Sequence, residues 1–289
     1  MESADQPQPK NLADTNHRLR RGLYLLPSLF TVGTLVCGYY AILTTLRGTQ
    51  MMAAGASPSF AGSIFDNASM AIGLAILFDG LDGRIARLTN AASNFGREFD
   101  SLADVIAFGV APGLLIYAWG VRSAIGVSGA EWTQHLRAIG WIASFAFLIC
   151  GAARLARFNI DTSKPGGDRR FFVGLPIPAA AGVIAAVIHW EKTPLTDWPI
   201  TVIWLAATLA LAFLMVSRVR YYTFKTLDLR RRRPYVTIIV IGLIVWLIVF
   251  YSEPVLLIIA LTYALSGIIQ RIPSKPRPSP PAPKEVPVQ

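Results

Sequence analysis

The stretch Leu77–Pro112, LFDGLDGRIARLTNAASNFGREFDSLADVIAFGVAP, sets four aspartates between two apolar runs. The upstream run begins at Phe60 and the downstream run reaches Val121. Each half therefore has the length of a bilayer-crossing helix, which needs about 20 apolar residues for a hydrocarbon core about 30 Å thick. Ionisable residues at such a boundary are costly, so a functional role is the default hypothesis for them. Asp79 and Asp82 stand at i, i+3 and Asp100 and Asp104 at i, i+4, so each pair lies on one helical face. A hairpin turning near Asn90–Phe95 brings the two pairs together. Carboxylates within about 5 Å of one another repel strongly even at an effective dielectric of about 20. Divalent metal removes that repulsion, and oxygen donors with no histidine or thiolate nearby select Mg²⁺ or Mn²⁺ over zinc.

A hard divalent cation points in turn to a phosphate substrate. Gly80, Gly83, Ala86 and Gly96 lie along the same stretch and leave a bulky ligand room to approach the backbone. Arg87, one turn after Gly83, has the fork geometry that suits a diphosphate. Taken singly, these residues also fit helix-packing glycines, an intrahelical Asp79–Arg87 ion pair, or an aspartate-lined cation channel. An ion-coupled transporter is the reading from a different class.

The rest of the chain agrees with a lipid solvent. Of its 289 residues 53% are apolar and only 15% charged, and the mean hydropathy is +0.48, which excludes a disordered or fibrous protein. Eight segments suit transmembrane helices: Leu23–Leu46, Phe60–Leu88, Phe99–Val121, Ile139–Phe158, Leu175–Trp190, Trp198–Val216, Val236–Tyr251 and Val255–Gln270. With a cytoplasmic N-terminus, 23 of the 27 Lys and Arg fall on inside segments, leaving Arg47, Arg122, Arg137 and Lys192 outside. That asymmetry predicts both termini in the cytoplasm. It also turns the net charge of +10 into a collar around the membrane rather than a nucleic-acid stripe, so no nucleic-acid partner is expected. Arg230–Arg233 stand where they can attract anionic headgroups. Cys37 and Cys150 lie inside apolar runs without metal-site spacing, and His17, His135 and His189 are read as loop or interface residues without chemistry. Seven prolines in the 17 residues Pro273–Gln289 predict an extended tail.

The pattern Asp79-x-x-Asp82-Gly83-x-x-Ala86-Arg87, eight residues, Gly96-x-x-x-Asp100-x-x-x-Asp104 resembles the signature of the CDP-alcohol phosphotransferases without departure in spacing or residue type. The resemblance implies a polytopic enzyme that exchanges the CMP of a CDP-linked lipid for an alcohol. It further implies that Asp79, Asp82 and Asp100 bind one divalent cation and Asp79, Asp100 and Asp104 a second, with Asp104 also the general base. Gly83, Arg87 and Ser93 match positions that contact the nucleotide or its diphosphate, and Gly96 belongs to the same CDP-diacylglycerol site. A homodimer is the oligomeric state the family implies.

Two further stretches resemble the membrane-integral bacterial phosphatidylserine synthases within that family. They are RRGLYLLPSLFTVGTLVCGYYAI, residues 20–42, and CGAARLARFN, residues 150–159, the latter followed by FFVGLPIPAAAG, residues 171–182. Ser28 and Thr34 stand where that group often carries asparagine, and Ser28 and Thr31 retain hydroxyls that can serve the lipid nucleotide. Serine as acceptor brings a carboxylate, so a basic subsite is expected at Arg154, Arg157 and Asn159, with Lys164, Arg169 and Arg170 just beyond. A glycerol 3-phosphate or inositol phosphate acceptor needs basic residues there too. The expected protein is thus an all-α, multi-pass inner-membrane bundle of about eight helices with its active site at the cytoplasmic face. Its substrates would be CDP-diacylglycerol and L-serine, in contact with membrane lipids. Its parts would be a cytoplasmic segment 1–22, a transmembrane domain 23–270 with a core at about 23–216 and two added helices at 236–270, and a tail 271–289.

Overall fold

A computed structural model describes residues 12–88, 94–122, 130–162, 171–222 and 234–269. Each expected apolar segment lies on a helix. The first is α1 (Leu12–Ala53), which begins well ahead of Leu23, and the second is α2 (Pro58–Leu88). The third divides into α3 (Asn94–Asp104), a π-helical segment Val105–Val110 and α4 (Ala111–Gly120). Then follow α5 (Ala130–Thr162), α6 (Ile177–Glu191), α7 (Trp198–Val216), α8 (Pro234–Phe250) and α9 (Ser252–Ile269). Five stretches among the described residues are long and apolar enough to cross a bilayer: Leu29–Ala53, Pro58–Ile85, Asn94–Gly120, Gln134–Ile160 and Trp198–Val216. Helices α6, α8 and α9 are apolar but shorter. The Pro-rich tail, Lys164, Arg169, Arg170 and Arg230–Arg233 lie outside the described residues.

One small feature joins the helices of the all-α bundle. Strands β1 (Phe171–Val173) and β2 (Arg220–Tyr222) pair antiparallel, with Phe171 opposite Tyr222. They join the α5–α6 and α7–α8 connections at one end of the bundle. Gly174 follows at φ 82°, and its N–H donates to the Val219 carbonyl at 2.8 Å. That backbone conformation favours glycine, and a Cβ there would also collide with the Met215 carbonyl.

Helix α1 turns into α2 through Ala54–Ser57, where Gly55 at φ 83° allows a tight reversal and Pro58 opens the next helix. Small residues let the two helices approach closely. Ala61, Ala68, Ala71 and Ala75 are buried along α2, and Gly48 leaves room on α1 for the Phe65 ring. Helix α7 is fastened to α4 by polar groups: Trp204 Nε1 donates to the Ile116 carbonyl at 3.2 Å, and Thr201 Oγ1 to the Gly120 carbonyl at 3.0 Å. Trp119 and Trp204 meet edge to face with centroids 5.1 Å apart. Large apolar side chains such as Leu77, Ile203, Phe213 and Val249 are exposed. Exposed apolar surface on this scale fits a lipid-facing exterior.

Two ends can be distinguished. At one, Asp66, His189, Lys192, Ser252 and Glu253 come together. At the other lie the four signature aspartates, Arg154, Arg157 and the β1–β2 ribbon. Lys192 is exposed, and Glu253, accepting its hydrogen bond, holds the ammonium above its ordinary pKa.

A close contact between helix backbones lies beside the aspartates. A Cβ at Gly38 of α1 would come within 2.6 Å of the Ala107 Cα in the π-helical segment, three residues past Asp104. Gly73 of α2 has open space around the same position. Gly38→Ala is therefore expected to lower thermal stability in detergent by about 1–3 kcal/mol and to reduce activity. Gly73→Ala should leave both unchanged or raise stability slightly. Equal effects of the two substitutions would refute this packing.

Candidate active site

Helix α2 delivers Asp79 and Asp82 from its last three turns, and α3 delivers Asp100 and Asp104 from its C-terminal half. Carboxylate oxygens of Asp79, Asp100 and Asp104 lie within 4.8 Å of one another, and neither His nor Cys belongs to the group. At an effective dielectric of about 20, each such pair of charges repels by roughly 3–4 kcal/mol. Oδ1 of Asp104 is buried with no hydrogen-bond partner. A buried carboxylate oxygen left this way is costly unless a cation or proton meets it. Gly83, one turn beyond Asp79 on the same face, and Gly80 have open space where a Cβ would lie. An all-oxygen donor set, an unsatisfied inward oxygen and this room fit a hard divalent cation with a phosphate ligand.

Asp82 is buried too, and its Oδ2 accepts a hydrogen bond from Thr31 Oγ1 of α1. The structure therefore directs the Thr31 hydroxyl to an aspartate, where the sequence reading assigned it to the lipid nucleotide. Thr34 Oγ1 donates to its own helix at the Phe30 carbonyl, 3.2 Å away. Gly96 is half-buried in the first turn of α3. Ser93 and the side chains of Ser28 and Arg87 lie outside what the structure describes.

The three expected acceptor residues part company. Arg154 is buried, stands over the Phe158 ring at 5.3 Å from its centroid, and lies within electrostatic reach of Asp104. Arg157 is exposed, and its Nη1 donates to the Val216 carbonyl at 3.2 Å, at the carbonyl-rich end of α7. Asn159 Nδ2 donates to Ser101 Oγ at 2.9 Å and so ties α5 to the turn between Asp100 and Asp104. Ser101 and Phe158 were not among the sequence candidates. Phe158 lies one turn after Arg154 on α5, whereas Ser101 meets Asn159 only through a contact between α3 and α5 that no local pattern marks.

Asp79→Asn and Asp100→Asn should each weaken Mn²⁺ binding by at least about tenfold, because either change removes one charge from a cluster that needs all of them. Electron paramagnetic resonance of free Mn²⁺ reads this directly, with cooperative thermal unfolding as the check on folding. Unchanged affinity in both variants would mean that the cluster is not a cation site.

Residues 24–216 match the family model described as CDP-alcohol phosphatidyltransferase. The chain is also similar to three curated proteins called CDP-diacylglycerol–serine O-phosphatidyltransferase. The one from Helicobacter pylori is 40% identical over 70% of this chain and 74% of its own length. The one from Mycobacterium leprae is 31% identical over 83% and 72%. The one from Bacillus subtilis is 32% identical over 69% and 91%. With a family model covering most of the chain and the acidic signature gathered at one helix end, the protein belongs to the CDP-alcohol phosphatidyltransferase family.

Proposed function

We propose that this protein transfers the phosphatidyl group of CDP-diacylglycerol to the hydroxyl of L-serine, giving phosphatidylserine and CMP. The observation that carries the reading is the buried guanidinium of Arg154 beside Asp104. A buried cation next to an acidic site favours an acceptor that brings its own negative charge, and serine brings a carboxylate. The names of the three relatives support serine over glycerol 3-phosphate or an inositol phosphate, which would satisfy the same charge.

In this reading Asp79, Asp82 and Asp100 hold one divalent cation, Mg²⁺ or Mn²⁺, and Asp79, Asp100 and Asp104 hold a second. Bound, the pair supplies positive charge against the diphosphate and the departing CMP. Thr31 keeps the Asp82 carboxylate turned to one rotamer. Arg154 receives the serine carboxylate, and Asp104 takes the proton from the serine hydroxyl. The serine oxygen then bonds to the phosphorus that bears diacylglycerol as the bond from that phosphorus to the CMP oxygen breaks. Contact with CDP-diacylglycerol falls to Ser28, Gly83, Arg87, Ser93 and Gly96, as the family resemblance implies. The same reading has eight membrane-crossing helices, both termini and the active site at the cytoplasmic face of the inner membrane, and a homodimer. The positive-inside asymmetry supports the orientation, and the family resemblance supports the dimer.

The decisive assay feeds purified protein CDP-diacylglycerol with serine, glycerol 3-phosphate or inositol in turn and measures CMP. Serine alone should support release, and only with divalent metal present. Metal-independent release, or preference for another alcohol, would overturn the acceptor assignment. Release in detergent, where no ion gradient exists, would also eliminate a transporter.

Two substitutions test the roles. Asp104→Asn keeps a carbonyl oxygen but cannot take a proton, so kcat should fall by about 10²–10⁴ while CDP-diacylglycerol still binds. Loss of lipid-nucleotide binding along with activity would reduce Asp104 to a metal ligand. Arg154→Lys should raise the KM for serine far more than that for CDP-diacylglycerol, since a point charge replaces a planar fork. The opposite split would assign Arg154 to the lipid.

A further inference from the structure

Helix α5 carries a buried row that ends on an amide. Ala143, Phe147, Gly151 and Leu155 follow one another at four-residue spacing, and all are buried. The row is pressed close: a Cβ at Gly151 would stand 2.5 Å from Ile177 Cδ1 of α6. One turn further the same row reaches Asn159, which is half-buried, and an amide turned toward a packed interior needs a hydrogen-bond partner. Its Nδ2 donates to Ser101 Oγ of α3 at 2.9 Å, and Ser101 Oγ donates in turn to the Arg97 carbonyl one turn back at 3.0 Å. Arg157, two residues earlier, fastens the same end of α5 to the Val216 carbonyl of α7 at 3.2 Å. The amide is therefore offered from a helix held against both α6 and α7.

Helix α3 has little apolar packing of its own. Of its eleven residues only Ala103 and Asp104 are buried, whereas Phe95 and Leu102 are exposed. It runs on into the π-helical segment Val105–Val110, so the helical register changes before the well-packed α4 begins. Yet Asp100 and Asp104 must both be aimed at Asp79, within 4.8 Å, where like charges push them apart. Because the two carboxylates share one face, a rotation of α3 about its axis would carry both off Asp79 together. Ser101 stands roughly 60° around that axis from Asp104 and roughly 100° from Asp100. A hydrogen bond received there resists the rotation without entering the cluster. We propose that Asn159 is a positioning residue for the cation site: through Ser101 it holds α3 at the rotation that brings Asp100 and Asp104 to Asp79. This rests on the reading of the aspartates as a cation site. It moves Asn159 from the acceptor subsite, where the sequence pattern placed it with Arg154 and Arg157, to the metal side of the reaction.

Mn²⁺ binding to the purified full chain in detergent, without substrate and read by electron paramagnetic resonance, tests this. Ser101→Ala removes the hydroxyl and Asn159→Ala the amide, and each should weaken Mn²⁺ binding by about tenfold. The double substitution should weaken it no further, because one hydrogen bond is lost in all three proteins. Ser101→Thr keeps the hydroxyl and should bind Mn²⁺ as wild type does. In every variant the melting temperature in chelator should stay within error, and at saturating Mn²⁺ the KM for serine should stay within about twofold of wild type. Wild-type Mn²⁺ affinity in both alanine variants, or effects that multiply in the double, would overturn the proposal. So would a raised KM for serine with unchanged Mn²⁺ binding, which would return Asn159 to the acceptor subsite. A lower melting temperature in chelator for both alanine variants would overturn it too, marking the pair as structural. Should Asn159→Ala not fold, the comparison of Ser101→Ala with Ser101→Thr decides, and equal Mn²⁺ affinities in those two overturn it. If wild type itself binds no Mn²⁺, the cation site falls and the proposal with it; if wild type binds Mn²⁺ and the alanine variants bind it equally well, only the proposal falls.

Discussion

Mutual repulsion of carboxylates packed at one end of a helical bundle is the constraint around which this molecule is organised. Asp79, Asp100 and Asp104 converge within 4.8 Å from two helices, with Asp82 buried alongside. No apolar packing nearby lowers the cost of such a group, so the surroundings must hold it in place, and its all-oxygen donor set fits a divalent cation. Thr31 of α1 holds Asp82. Asn159 of α5 reaches Ser101 between the two α3 aspartates. Gly38 lets α1 press directly against the π-helical segment that follows Asp104. A π-helical turn shifts the register of everything beyond it by about one residue. Here it lets Asp104 face the cluster while the apolar face of α4 still packs into the core.

The opposite end is built differently. There the polar groups are matched in ordinary pairs: His189 between Asp66 and Ser252, Lys192 with Glu253, and Trp119 Nε1 donating to the Lys192 carbonyl at 3.1 Å. One end of the bundle is thus electrostatically closed and the other awaits charge from outside. That contrast fits an enzyme whose rigid far end anchors the helices that carry the reacting groups.

What could be read from the sequence was whatever is encoded locally. Asp79, Asp100 and Asp104 come together across the hairpin, while Asp82, three residues after Asp79, accepts a hydrogen bond from Thr31. All eight apolar segments lie on helices. Arg154 and Arg157, three residues apart, looked equivalent, but tertiary packing sends one to Asp104 and the other to the end of α7. The three-residue strands β1 and β2 are too short to carry an alternating pattern. Thr31 offers a hydroxyl donor in the sequence, and only the fold shows that the Asp82 carboxylate accepts its hydrogen bond.

On the proposed reading the acidic cluster is complete only with divalent cation. The most direct measurement is the melting temperature of the purified protein, without substrate, as Mg²⁺ or Mn²⁺ is titrated against NaCl of equal ionic strength. A ligand that binds only the folded state stabilises it by about 2.7 kcal/mol at one hundred times its dissociation constant. For a chain of this size that is a rise of roughly 5–10 °C. The account predicts a saturable rise with divalent cation that chelator reverses and that Asp79→Asn together with Asp100→Asn abolishes. A melting temperature that follows ionic strength alone, or that rises equally in the doubly substituted protein, would contradict it.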